Sequence, residues 1–267
     1  MSNIQGIYTT TLKNGDASYR VSTTHKSKHI SLGSFSDINA AQKVYHEARL
    51  ILSDLTISID SYNDSFSIGH DKFIILLNFR DNNIYFGTPI YLRHNYFEYY
   101  LNEKEILKFD RDDLFFYARH KIGKKGGYLY ISNYGSQYKI LSRYGVRPFA
   151  VYGRDYIMVN SDKYDFRYSN IKILNNYMGV QKKEKKGIVY YETLIHINGN
   201  YIVGRYDCEI EAAVAYNKAA DTLQALGHNK KYIKNYIVSL SSDEYKDMYK
   251  KTGISSNLLK VPVTKSE

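Results

Sequence analysis

Leu32-Gly33-Ser34-Phe35, followed by Ala41-Gln42-Lys43-Val44-Tyr45-His46-Glu47-Ala48, is met again as Val203-Gly204-Arg205-Tyr206, followed by Ala212-Ala213-Val214-Ala215-Tyr216-Asn217-Lys218-Ala219. Gly33 and Gly204 lie 171 positions apart, and Phe35/Tyr206, Ala41/Ala212, Tyr45/Tyr216 and Ala48/Ala219 keep that spacing without a gap. The distance is too long for a stacked repeat. It reads as one small module used twice, and two copies suggest a binder that grips two places.

Working outward, residues 6–13, 17–25 and 28–35 read as three short strands, with turns at Asn14-Gly15-Asp16 and Lys26-Ser27. Alternation puts Tyr19, Val21 and Thr23 on one face and Arg20, Ser22 and Thr24 on the other; Ile30 and Leu32 oppose His29 and Ser31. Ser36 or Asp37 caps the helix that follows, whose apolar residues Ala41, Val44, Tyr45, Ala48, Ile51 and Leu52 recur at three and four. The second copy runs through strands 179–186, 188–197 and 201–206, with Asn198-Gly199 as a turn. Its helix spans about Glu209–Leu226 with Gly227 at the cap, Ser242-Asp243-Glu244 starts one more helix, and the last dozen residues read as a loose tail.

The chain has 267 residues, 43% of them hydrophobic, enough for roughly two or three ordinary cores. Net charge is +10, divided as +2 over residues 1–55, +4 over 56–176 and +4 over 177–267. A spread positive charge suits an extended polyanion. The single cysteine, Cys208, excludes an internal disulfide and a cysteine-based zinc site. No apolar run approaches the ~20 residues of a membrane span and no signal peptide is visible, so the expectation is a bacterial cytoplasmic, nucleoid-associated protein with no membrane partner. Abundant Tyr (29), Ile, Asn and Lys fit an AT-rich coding genome, as in low-GC bacteria and their phages.

Three strands, an "LGxF"-like corner and an "AAxAY"-like helix resemble the Apetala-two/ethylene-response-factor DNA-binding domain, over about 50 residues each time. In that family the sheet lies in the major groove of double-stranded DNA. The resemblance implies that Arg20, Ser22, Thr24, His29 and Ser31 face DNA in the first module, with Lys13 and Lys28 near phosphates. This copy departs from the family in having few arginines there and no tryptophan. In the second module the same face carries Tyr190, Glu192, Leu194 and His196, with Arg205 at the corner. Glu192 and Leu194 suit a phosphate backbone poorly, so binding is expected through Lys182, Lys183, Lys185 and Lys186. Its central strand is open to packing on another domain or a second copy, so self-association belongs to the expectations.

Residues 108–175 resemble an HNH endonuclease domain, which accompanies such modules in phage and mobile-element proteins. Lys108–Leu114 resembles its opening acidic turn, Gly126–Tyr130 the strand before the active site, and Asp165-Phe166-Arg167-Tyr168-Ser169-Asn170-Ile171-Lys172-Ile173 the closing "DNRRSNLRI". The chemistry needs a base and a bound cation. The "LHR" position reads Leu141-Ser142-Arg143 and the "DHING" position reads Ile157-Met158-Val159-Asn160-Ser161, so Ser142 and Met158 stand where the histidines belong. No catalytic residue, metal or cofactor is therefore expected. Arg143, Arg147, Arg154, Arg167 and Lys172 are candidates for a retained DNA surface.

The expected fold class is α+β: two three-stranded antiparallel sheet-plus-helix modules flanking a degenerate ββα-type middle. The boundaries are 1–55, an unassigned β-rich 56–107, 108–176, 177–228, and a C-terminal helix and tail over 229–267. Within 56–107, Phe73–Leu77 and Ile84–Phe86 read as apolar strands. The functional expectation is a non-catalytic, sequence-selective double-stranded DNA-binding protein, a phage or mobile-element transcriptional regulator or repressor derived from a homing endonuclease. Two readings stay open beside it. One is an active Mg-dependent endonuclease with a displaced site drawing on Asp155, Asp162 or His120. The other is an anti-defence factor that binds protein through Leu194 and the tyrosine-rich middle.

Overall fold

The computed structural model describes residues 5–133 and 135–263. The architecture is α+β, built on small antiparallel sheets. The chain divides into two compact units, Met1–Ile140 with Asp162–Tyr168, and Leu141–Ser161 with Ser169–Glu267.

In the first unit, β1 (Ile7–Thr11), β2 (Ala17–His25) and β3 (Lys28–Phe35) form a meander, and α1 (Ile38–Ser53) covers one face. Lys26 and Ser27 both take positive φ, as a tight hairpin turn requires. Asp37 is the cap: its carboxylate accepts from the Ala40 N–H at 2.9 Å, a bond of about 1 kcal/mol. Ile7, Val21, Ile30 and Leu32 from the sheet meet Ala41, Val44, Tyr45, Ala48, Ile51 and Leu52 from α1 in one core.

That core does not end at residue 55. Phe73–Leu77, expected as a strand, lies inside a helix, α2 (His70–Asn82), which packs on α1; Ile84–Phe86, also expected as a strand, is irregular. Every residue from Phe73 to Arg80 is buried, so the helix shows no polar face and its pattern cannot be told from a buried strand. Its Arg80 carries a guanidinium that donates to the carbonyls of Ile51 (3.1 Å), Asp54 (2.6 Å) and Ile57 (2.8 Å). These include carbonyls that the end of α1 leaves without intrahelical partners. Asn83 closes α2 with φ +61°. β4 (Ile90–Leu92), β5 (Tyr96–Tyr100) and β6 (Ile106–Asp110) form a second meander, tied to α2 where the buried Asn78 accepts from the Leu92 N–H at 2.9 Å. Residues 56–110 thus give the first module a second wall as well as three strands, and β6 runs across the expected boundary at 107/108.

Phe109 of β6 stacks on Phe97, on Tyr117 of the one-turn helix α3 (Leu114–Tyr117), and on Phe166. Phe166 arrives with Asp162–Tyr168, which pairs with β6 through Lys108 N–H to Tyr164 O (2.9 Å) and Phe166 N–H to Lys108 O (2.8 Å). A third meander, β7 (Ile122–Lys125), β8 (Tyr128–Asn133) and β9 (Ser136–Lys139), completes the unit.

A one-turn helix, α4 (Ile140–Arg143), leads into the second unit, where β10 (Tyr156–Met158) pairs with β11 (Ile171–Ile173). A 3-10 turn, Tyr168–Asn170, precedes β11, and among the described residues no α-helix lies between β10 and Val180 in the chain. The second module follows as β12 (Val180–Lys185), β13 (Ile188–His196), β14 (Asn200–Tyr206) and α5 (Glu209–Ala225). α5 is buried on several sides because α6 (Ser242–Lys251) and a 3-10 turn, Ser256–Lys260, cover it. Lys218 of α5 donates to the carbonyls of Tyr249 (2.8 Å) and Thr252 (2.7 Å), at the end of α6. The expected loose tail is corrected at Leu258 and Val261, which are buried, Leu258 within this core; residues 264–267 of that expectation lie outside the described residues.

Candidate nucleic-acid interface

The two modules match beyond the sequence repeat. Each has a one-residue irregularity between its second and third strands at the same place: Val21 pairs Gly33 and Ser22 pairs Ser31, while Thr193 pairs Gly204 and Leu194 pairs Ile202. Each opens on a glycine at positive φ, Gly6 (+78°) and Gly179 (+75°). Its carbonyl accepts from the central strand, from Ser22 N–H (2.9 Å) or Leu194 N–H (2.8 Å), and the helix tyrosine, Tyr45 or Tyr216, lies against it. Gly6 and Gly179 escape the gap-free alignment because each hairpin of the first module is one residue longer in register than its counterpart: Tyr8 pairs Arg20 but Gln181 pairs Glu192, and Ser22 pairs Ser31 but Leu194 pairs Ile202.

The outer faces of the two sheets differ in chemistry. On the first, register sets Arg20 between Tyr8 and Ser34, and Thr24 beside His29. Arg20, Thr24, His29 and Ser31 are exposed together opposite α1, and none of the three strands carries Asp or Glu. Ser22 is on the same face but only 8% exposed, so it is removed from the accessible set. Lys13 is exposed in the β1–β2 turn. Lys28 is corrected: its ammonium lies over the Tyr85 ring, 5.3 Å from the centroid, on the helix side of the sheet.

On the second sheet the lysine run is not one patch. Alternation along β12 places Lys183 and Lys185 outward and Lys182 on the opposite side, while Lys186 sits in the hairpin turn with φ +51°. Glu192, 3% exposed, is held between Lys183 and Arg205, with Arg205 Nε at 3.0 Å from Oε1. Burial alone would raise the Glu192 pKa; the bonds from Lys183 and Arg205 outweigh it and hold the carboxyl below its usual range. Arg205 also lies over the ring of Tyr190 at 5.8 Å. The clamp leaves Lys183 and Arg205 less available to a phosphate. Leu194 faces Ile202 across the strands, and Ile188 is 71% exposed.

Three of the middle-region arginines are tied to carboxylates. In the second unit, Asp155 is 1% exposed and receives Arg147 (2.8 Å), Arg154 (2.8 Å) and the Val151 N–H (2.8 Å). Burial would raise its pKa, but these partners hold it below the usual value. Arg147 is mostly buried, while Arg154 keeps some exposure. In the first unit, Arg167 donates twice to Asp165 (2.8 and 2.6 Å) and packs over Tyr96. Arg143 and Lys172 are exposed, on α4 and β11.

At the positions matched to the HNH histidines, Met158 is buried in the β10–β11 hairpin and Ser142 is exposed on α4. Asn170 accepts from the Asn160 N–H at 2.8 Å and so shapes the loop between these strands. The groups of the displaced-site reading all have structural partners: Asp155 as above, Asp162 with Lys108 at 3.1 Å, and His120 stacked on Phe116 with Nδ1 at 2.8 Å from its carbonyl. Among the described residues no group of three or more His, Cys, Asp or Glu is placed to hold a metal ion. No helix among them is long and apolar enough to cross a membrane.

Compared with known proteins, the chain matches no family model, no curated protein and no solved structure.

Proposed function

We propose that the chain is a non-catalytic, sequence-selective double-stranded DNA-binding protein, a transcriptional regulator or repressor of a phage or mobile element, whose first module reads the duplex. The observation that carries the reading is the outer face of β1–β2–β3. It sets Arg20, Thr24, His29 and Ser31 on one face of an antiparallel sheet with no acidic residue among its strands. Arginine and small hydroxyl side chains suit guanine edges and phosphates, and an antiparallel sheet surface fits a major groove. The overall charge of +10 adds sequence-independent attraction. The test is mobility shift on a selected motif over a salt series. Arg20→Ala weakens binding to that motif by about tenfold. Unchanged affinity removes this face from the interface.

One observation favours a second role, for the second module. The outer face of β12–β13–β14 pairs Leu194 with Ile202 and carries Glu192 between two cations, an apolar centre with both signs of charge around it. That composition suits a second copy of the chain better than DNA. Sedimentation equilibrium of the full chain gives a dimer that Leu194→Asp turns into a monomer; a monomer in both cases rejects this role.

A further inference from the structure

The third meander of the first unit, β7–β8–β9, carries a basic aromatic surface that the duplex-reading proposal does not use. Side chains alternate along β8, so Tyr128 and Tyr130 share a face. Register puts Lys125 opposite Tyr128, and both Gly123 and Lys139 opposite Tyr130. The other face buries Ile122 and Ile131 but leaves Tyr138, the partner of Ile131, exposed. Tyr128 is 60% exposed, and the Lys139 ammonium lies 4.0 Å from its ring centroid. The phenol end of Tyr130 lies over Gly123, where a Cβ would come within 2.7 Å of its Cζ. The glycine therefore lets that ring settle onto the sheet.

Charge selects the occupant. Residues 121–139 contain four lysines and no Asp or Glu. Two of the four are paired: Lys121 with Asp71 at 3.2 Å, and Lys124 with Glu105, whose pKa that bond lowers to about 2, with help from Tyr164 and Asn102. Lys125 and Lys139 remain on the tyrosine face. Aromatic rings beside lysines are the elements that hold unpaired nucleic acid: bases stack on the rings and phosphates follow the cations. The spacing also decides. Residues two apart on a strand stand roughly 7 Å from each other. Bases within a duplex strand rise about 3.4 Å per step and offer no free faces. A base on each ring fits an extended, unstacked strand.

We propose that the β7–β8–β9 sheet binds single-stranded nucleic acid, with bases stacking at Tyr128 and Tyr130 and phosphates held by Lys125 and Lys139. The sheet would hold a locally opened strand, which goes beyond the duplex reading by the first module and does not depend on it.

Fluorescence anisotropy of the full chain tests it with three labelled probes: a short oligothymidylate, an abasic strand of equal length, and a duplex. Oligothymidylate binds the native chain about tenfold more tightly than the abasic strand, because only it can stack. Tyr130→Ala removes about tenfold of that affinity and Tyr130→Phe retains it, while duplex binding stays as in the native chain. Gly123→Ala, which displaces the ring without removing it, lowers oligothymidylate affinity as well. Equal affinity of the native chain for the abasic and base-bearing strands overturns the proposal without any variant. So does unchanged oligothymidylate affinity in Tyr128→Ala/Tyr130→Ala. Arg20→Ala distinguishes the two proposals, since it weakens the duplex complex alone.

Discussion

At the scale of single residues, polar side chains in this protein are more often structural than exposed candidates suggest. Arg147, Arg154 and Arg167 are spent on Asp155 and Asp165, and Glu192 engages two cations of its own sheet. Their charges are visible in the sequence, but their partners are not, because each pair is fixed by loop geometry or by strand register. Arg80, which ties the end of α1 to α2, sits in an apolar run and gives no signal at all. Gly6 and Gly179 are the sharpest residue-level prediction. A Cβ at either would stand 2.3 to 2.4 Å from a tyrosine ring atom and 2.4 to 2.5 Å from a backbone carbonyl oxygen, at a φ that L-residues rarely adopt. Gly6→Ala and Gly179→Ala are each expected to lower stability by about 2 kcal/mol or more, read from urea unfolding. A change near zero would mean that the strand opening is not held against the helix as described.

At the scale of elements, the repeated module was legible and the wall behind it was not. Strands with clean alternation, an N-cap and a one-sided helix carry a period in the sequence, and β1–β3, α1, β12–β14 and α5 lie close to where that period places them. α2 has apolar residues all round, so its length and its Asn83 terminus are the usable clues, and Phe73–Leu77 alone reads as a strand. The C-terminal turn around Leu258 is too short to show a period, yet it covers α5. The first module and α2 also share a pH dependence. His25 meets Phe79 edge-on, and burial, with Lys26 and Arg49 nearby, lowers its pKa below 6.5; burial likewise lowers that of His70, against opposing acidic charges from Glu103 and Asp71. A depressed histidine pKa means that the unfolded chain binds more protons between the two values. Stability of this unit is therefore full above pH 6.5 and falls as the pH drops below it. Thermal unfolding across pH 7.5 to 5 checks this, and His25→Phe combined with His70→Phe flattens the dependence. A stability that rises on acidification would contradict the assignment.

At the scale of the whole molecule, one small fold is used twice with unlike outer faces. The first face is hydroxyl-rich and basic; the second has Glu192, Leu194 and Ile202 at the corresponding places. The positions were legible from alternation alone, whereas the loss of Ser22, Lys28 and the split of the lysine run required register and packing. In this reading the first face binds duplex DNA and the chain does not cut it. The direct measurement is to incubate the full chain with sheared genomic DNA from low-GC bacteria and their phages, at moderate salt with Mg²⁺, then sequence what is retained and map its ends. The expected result is intact fragments enriched for one motif, with the enrichment lost in Arg20→Ala. Fragment ends clustered at one sequence would show an active nuclease and contradict the reading of Ser142 and Met158, and retention of no motif would contradict the reading of the first face.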